Sequence, residues 1–188
     1  MKKSTLWELL GRESLARTPV FNLRRDRKRR QDSGFTWDFY ILEAGDWVNV
    51  IPLTPEREVI LVEITRHGIE GPSLEVPGGL IDPEDPSPLA AAGRELLEET
   101  GYEAAEMLPL GVVHPNPAIQ GNRCYSFLAR DVRQVAAPRL DGAEDITLLQ
   151  VPLRQIPDLI RQGKITHSLV VAAFLWLELG DPGGLGLR

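Results

Sequence analysis

Cysteine is all but missing. Cys124 is the single one among 188 residues, so an intrachain disulfide is excluded. That fits a reducing compartment, and a cytoplasmic location is expected. Cys124 itself lies in a strand-like stretch and is expected to be buried. Positive charge is also in deficit: 21 Lys and Arg stand against 27 Asp and Glu, a net charge of −6. A general binder of nucleic acid or of an anionic membrane is therefore not expected. An anionic substrate stays open, provided that a metal or local arginines offset the repulsion. Long apolar runs are absent. The longest, from Ser168 to Leu179, is too short to cross a bilayer and contains Glu178. No apolar stretch separates Lys2 and Lys3 from Glu13 and Arg17, so no signal peptide is expected. What is there is 43% hydrophobic residues, enough for one main domain and a small extra subdomain.

Residues 1–45 differ from the rest. Arg24, Arg25, Arg27, Lys28, Arg29 and Arg30 form a basic run, followed by the turn signal Gln31-Asp32-Ser33-Gly34. Val20–Leu23 before it and Phe35–Leu42 after it read as the two strands of a hairpin. The run reads as a solvated face, or else as an attractor of a phosphate-bearing ligand. Trp37 and Tyr40 are expected to pack in a core; stacking on an adenine is the alternative. A lone hairpin is marginal in water, so this extension must pack on the main domain or on a second subunit.

From residue 46 onward, Trp47–Leu53, Val59–Ile64, Ser73–Val76, Leu108–Val113, Arg123–Ala129 and Ile146–Val151 read as strands. A helix is expected from Pro88 to Thr100, with Ser87 as N-cap, Pro88 at its first position and Gly101 as its stop. Shorter helices are expected over Leu153–Arg161 and His167–Leu179, and residues 181–188 read as a tail. The mixture predicts an α/β fold, a mixed β-sheet sandwiched between α-helices.

Arg94-Glu95-Leu96-Leu97-Glu98-Glu99-Thr100-Gly101 carries the strongest chemical signal. Helical spacing puts Glu95, Glu98 and Glu99 on one side within about 100°. Leu89, Ala92, Gly93 and Leu96 fall on another side that can pack on a sheet, with Gly93 allowing close approach. No lysine lies between Pro88 and Thr100, so something positive should compensate. A hard divalent cation suits an all-oxygen site and often bridges carboxylates to phosphates. The competing reading is a solvated acidic helix paired with arginines elsewhere. Ahead of the helix, Leu74-Glu75-Val76-Pro77-Gly78-Gly79 ends a strand and opens a loop in which backbone can approach a ligand or metal closely.

The strand, the Pro77-Gly78-Gly79 loop and the Arg94-Glu95-x-x-Glu98-Glu99-x-Gly101 helix resemble the Nudix box of the Nudix hydrolase family. The core of the match covers about residues 74–102, and the flanking strands fit over roughly 46–180. One departure is visible. The family has a glutamate six residues after its first glycine and an arginine eight beyond that. Arg94 counts back to Leu80 and Pro86, whereas Gly79 counts forward to Asp85, with Glu84 just before it. A one-residue insertion between Pro83 and Pro88 accounts for this and leaves the role of Glu84 or Asp85 open. The resemblance implies a Nudix fold with an N-terminal β-hairpin extension. It implies that Glu95, Glu98 and Glu99 bind Mg²⁺ (or Mn²⁺), helped by the carbonyl of Gly78, with Glu99 catalytic and with Gly79 and Leu80 at the substrate. It implies hydrolysis of a nucleoside diphosphate linked to another moiety.

Several residues resemble the ADP-ribose pyrophosphatase branch. Glu63-Ile64-Thr65-Arg66-His67 is similar to its arginine-bearing strand, which makes Arg66 the candidate diphosphate contact, against a surface salt bridge. Pro117 lies fifteen residues beyond Tyr102, as that branch's proline does past its box. Where the branch commonly has an acidic residue shortly after, this chain has Gln120, Gly121 and Asn122. Asp141-Gly142-Ala143-Glu144-Asp145 matches a loop whose glutamate reaches the metal site or acts as base, so Glu144 is the candidate, with Asp145 second and a solvated turn as the plain reading. His114 and His167 read as structural or exposed, with a role as bases the alternative. The resemblance implies a homodimer joined through the N-terminal extension. The leading expectation is a hydrolase of ADP-ribose; GDP-mannose, another sugar nucleotide or a dinucleoside polyphosphate is the alternative substrate, and a non-catalytic ligand-binding regulator the alternative class.

Overall fold

A computed structural model describes residues 6–140, 142 and 145–180. Two compact units are distinguished: residues 1–45 with 114–122, and residues 46–113 with 123–188.

The larger unit is built on a seven-stranded mixed sheet. Its strands are β4 (Trp47–Leu53), β5 (Glu58–Arg66), β6 (Gly71–Glu75), β7 (Gly78–Leu80), β9 (Glu106–Val113), β10 (Cys124–Arg130) and β12 (Ile146–Pro152). The order is β12-β5-β4-β10-β9, with β6 beside β5 and β7 beside β4. Only the β4–β10 pairing is parallel; the other named pairings are antiparallel. A two-stranded ribbon joins β8 (Tyr102–Glu103) to β11 (Arg133–Gln134).

Strand alternation divides the core in two. On one face Val48, Val50, Ile60, Phe127 and Ala129 meet Ala91, Ala92 and Leu96 of helix α1 (Pro88–Thr100). On the other, Ile51, Leu53, Val59, Leu61 and Leu128 meet Ile156 of α2 (Ile156–Arg161) and Val170, Ala173, Phe174 and Leu177 of α3 (Ser168–Gly180). A sheet buried on both faces needs near-continuous apolar strands, which is why Val59–Val62 are all buried. The expected mixed sheet between helices is observed. One packing expectation needs correction: a Cβ at Gly93 would meet Met107 Sδ at an ordinary 3.8 Å, so glycine is not needed there for close approach. Among the described residues no helix is long and apolar enough to cross a membrane.

The smaller unit departs from the expected hairpin. It holds a three-stranded antiparallel sheet, β1 (Trp7–Arg17), β2 (Asn22–Arg30) and β3 (Thr36–Glu43). The basic run is strand β2 itself, and β1 is an additional strand. Opposite charges face each other across the ladder: Arg29 pairs with Glu8, Arg25 with Glu13 and Arg12 with Asp26, each directly opposite in register. Arg24 pairs with Glu43. Asp26 is buried and takes hydrogen bonds from both Arg12 and Arg24, and these hold its carboxyl below the usual range although burial alone raises it. The charges of the run are thus largely taken up by cross-strand carboxylates. Trp37 and Tyr40 do not pack in a core: they are 58% and 52% exposed, and Trp37 stacks on Phe35. Pro117 lies in the 114–122 segment, which joins this unit by the Leu42–Gln120 bridge.

Candidate active site

A cleft of about 530 Å³ opens in the larger unit. Its walls come from β4, the end of β5, β6, β7, the exposed side of α1 and the start of α3, and they include Arg66, Glu75, Gly78, Gly79, Leu80, Glu95, Glu99 and His167.

Local sequence aims α1 at this cleft. Ser87 Oγ accepts from Ala90 N–H at 3.1 Å and Pro88 opens the first turn. Gly101, at φ +74°, closes the helix and donates its N–H to Leu97, as a left-handed cap requires. With Ala91, Ala92 and Leu96 against the sheet, the 3.6-residue period carries Glu95 and Glu99 to the cleft. Glu99 is only 6% exposed, and its Oε2 accepts Gly78 N–H at 3.0 Å. Glu95 stands over Gly79, where a Cβ would lie 2.5 Å from its Oε1. Glu98 is not among the cleft residues; its side chain is 40% exposed and bound to Arg94.

Arg94 supplies much of the missing positive charge. Its Nη1 donates to Glu95 Oε1 (2.9 Å) and Glu98 Oε2 (3.0 Å), and its Nε and Nη2 donate to Asp85 (3.2 and 2.8 Å). Nη2 also donates to the Leu80 carbonyl at 3.0 Å. The Asp85 hydrogen bond leads the interactions that push the Arg94 pKa further up, and the same bond holds the Asp85 carboxyl below its usual range. Asp85 also accepts Asp82 N–H. Between the two acidic candidates of the loop, Asp85 is the one that meets Arg94, while Glu84 is exposed. One guanidinium thereby ties the Leu80–Asp85 loop to the acidic helix.

Arg66 and Glu75 form a bidentate pair, Nε and Nη2 each 2.9 Å from a carboxylate oxygen. Glu75 is buried and the Arg66 side chain is 45% exposed. Burial alone raises the Glu75 pKa, but the hydrogen bonds and charge of Arg66, with His167 beside it, bring it below the usual value.

Besides Glu75, two polar residues of the cleft carry no functional role in the leading sequence reading. His167 precedes α3, its Nδ1 accepts Leu169 N–H at 3.2 Å, and its Nε2 lies 4.0 Å from Glu75 Oε2. A polar residue two positions before the apolar turn Leu169-Val170-Val171 must sit where core meets solvent, and that is the available signal. Asn49 is buried in β4 and donates Nδ2 to the Leu169 carbonyl at 3.0 Å; a lone amide amid Val and Ile was its signal. His114 lies in the other unit, with Nδ1 3.1 Å from the Asn122 carbonyl. Glu144 lies outside the described residues, and Asp145 is exposed just before β12. Cys124 is buried, as expected, and burial pushes its thiol up to about 12.

Among the described residues no three His, Cys, Asp or Glu side chains converge as a ready metal cluster. Glu95 and Glu99 are nevertheless hard oxygen donors on one wall, beside a glycine whose lack of Cβ keeps the Glu95 carboxylate in place. Magnesium is commonly held by one or two carboxylates together with substrate phosphates rather than by an all-protein cage. The donor set fits such an ion.

A NUDIX domain model matches residues 45–173. An ADP-ribose pyrophosphatase of Mycobacterium tuberculosis is 26% identical over 178 residues, covering 94% of this chain and 86% of its relative. A methanol dehydrogenase activator of Bacillus methanolicus is 30% identical over 135 residues, covering 71% and 72%. A solved structure described as an ADP compounds hydrolase superposes with a TM-score of 0.84 over 98% of both chains at 23% identity, which speaks for the fold. The capped acidic helix, the glycine loop that it faces and the domain match over most of the chain agree: this protein belongs to the Nudix family and is a hydrolase acting on pyrophosphate bonds.

Proposed function

We propose that the protein is a magnesium-dependent hydrolase of ADP-ribose that yields AMP and ribose 5-phosphate. The observation that carries this reading is the meeting, in one cleft, of the carboxylates Glu95 and Glu99 with the glycine loop and the Arg66–Glu75 pair. The carboxylates suit a cation and the guanidinium suits phosphate oxygens.

When bound, the divalent ion neutralises diphosphate oxygens and lowers the pKa of a coordinated water. Glu95 and Glu99 would hold it with the Gly78 carbonyl, and Glu98 would hold a further ion or steady Arg94. Gly79 and Leu80 leave backbone exposed to the substrate. Arg66, kept in plane by Glu75, meets charge that grows on the phosphate oxygens. Water adds to one phosphorus as the bridging P–O bond breaks. Its proton goes to a carboxylate, for which Glu144 is the candidate. The exposed aromatics of the N-terminal sheet support the covering of that sheet by a second copy in a cytoplasmic homodimer, which sedimentation of the purified protein tests.

Purified protein with Mg²⁺ is expected to release AMP from ADP-ribose and to stop with EDTA. Glu99→Gln is expected to lower kcat about 100-fold or more. Ranking ADP-ribose, GDP-mannose and dinucleoside polyphosphates by kcat/KM decides the substrate. Turnover of none of them ends the proposal; a thermal shift by ADP-ribose without hydrolysis would point instead to a ligand-binding regulator.

A further inference from the structure

The first turn of α3 is held through both backbone polar groups of one residue. Leu169 N–H donates to His167 Nδ1 and the Leu169 carbonyl accepts from Asn49 Nδ2. The first bond decides where the histidine carries its proton. Nδ1 offers a lone pair, so the neutral ring bears its hydrogen on Nε2. That nitrogen lies in the cleft wall, 4.0 Å from Glu75 Oε2. Glu75 is enclosed, and a buried carboxylate must be matched by donors or positive charge. Arg66 supplies two hydrogen bonds from one side; His167 stands against the Oε2 edge. Arg66 is nearly half exposed, so the direction of its guanidinium depends on how firmly Glu75 is fixed.

We propose that His167 is a positioning residue: its Nε2–H steadies Glu75 and thereby sets the plane in which Arg66 meets the diphosphate. This deepens the hydrolase reading and rests on Arg66 as the diphosphate contact. The ring has two jobs, and two substitutions separate them. Asparagine can place an acceptor near the Nδ1 position and keep the Leu169 bond, but it has no donor where Nε2 stands. Glutamine can reach the Nε2 position with an amide N–H and gives up the bond to Leu169.

Steady-state kinetics with ADP-ribose and Mg²⁺, run beside thermal melts, test this. For H167N the expected result is a Tm close to wild type and a KM raised about 5- to 10-fold, with kcat changed less than about twofold. H167Q is expected to recover most of the KM loss while melting lower. In an E75Q background H167N is expected to add nothing, because its influence runs through Glu75. A long-range ¹H–¹⁵N spectrum of the wild-type protein is expected to show the His167 proton on Nε2. A wild-type KM in H167N, additive losses in the double variant, or a proton on Nδ1 would overturn the proposal. Wild-type protein that turns over no nucleoside diphosphate would sink the hydrolase reading instead, and the position of the ring proton would still judge the part assigned to His167.

Discussion

Replacing Gly78 and Gly79 by alanine, one at a time, is expected to break two different things. At Gly78 a Cβ would overlap the Val48 carbonyl oxygen and lie 2.8 Å from Asn49 Cα. Both atoms are backbone of β4, a central strand buried on both faces. The carbon contact alone is about 0.7 Å short of an optimal separation, and only separation of β7 from β4 relieves it. Overpacking of this kind costs about 2–3 kcal/mol, or about 4–12 °C in Tm for a chain of this size. At Gly79 the added Cβ meets the end of a side chain, 2.5 Å from Glu95 Oε1. Glu95 can rotate away for about 1 kcal/mol, so Tm should change by no more than about 4 °C. Its carboxylate would then stand about 1 Å from its place, and misplacement on that scale can cost about 100-fold in rate. Thermal melts and AMP release measured on the same preparations read both effects. Gly79→Ala at wild-type activity would show that the position of Glu95 does not matter. Equal losses of Tm in the two variants would show that the contacts named here are not the cause.

Two further outcomes follow from ionisation. The Cys124 thiol, pushed up to about 12 by burial, should stay unreactive toward a disulfide reagent at pH 8 in the native protein and react at once in denaturant; prompt native labelling would contradict the packing of β10. Glu75 is held below its ordinary value of 4.5, so its ionised form favours the folded state. That contribution is fully present above the ordinary value and is lost as pH falls through the lowered folded value. Melting temperature followed from pH 6 downward should therefore fall more steeply below about pH 4.5 in the wild type than in Glu75→Gln, and parallel curves would refute the assignment.

Much of the fold was legible where structure is made locally. Ser87, Pro88 and Gly101 bound α1 by capping bonds that span only a few residues, and the apolar strands of the main sheet declare themselves by composition. The N-terminal sheet was not legible in this way. Strand β2 is charged along most of its length, and the carboxylates facing its arginines, Glu8, Glu13 and Glu43, stand 21, 12 and 19 positions away in sequence, the first two on a strand that the sequence does not reveal. Without an apolar alternation, pairing partners are invisible until the register is known. Strand β7 reads as loop in the sequence because three residues, two of them glycine, carry no strand signal of their own; pairing with β4 makes it a strand.

By itself, then, the order of residues determined the family signature, the helix that bears the acidic side chains and the sheet that supports it, because spacing and capping are short-range. Tertiary structure decided which loop acid meets Arg94, that Glu95 and Glu99 share the cleft while Glu98 turns to Arg94, and that His167 comes up against Glu75 some ninety residues away. Each of these depends on distance between side chains from separate elements, and a linear pattern fixes direction along a helix or strand but not which other element lies across from it.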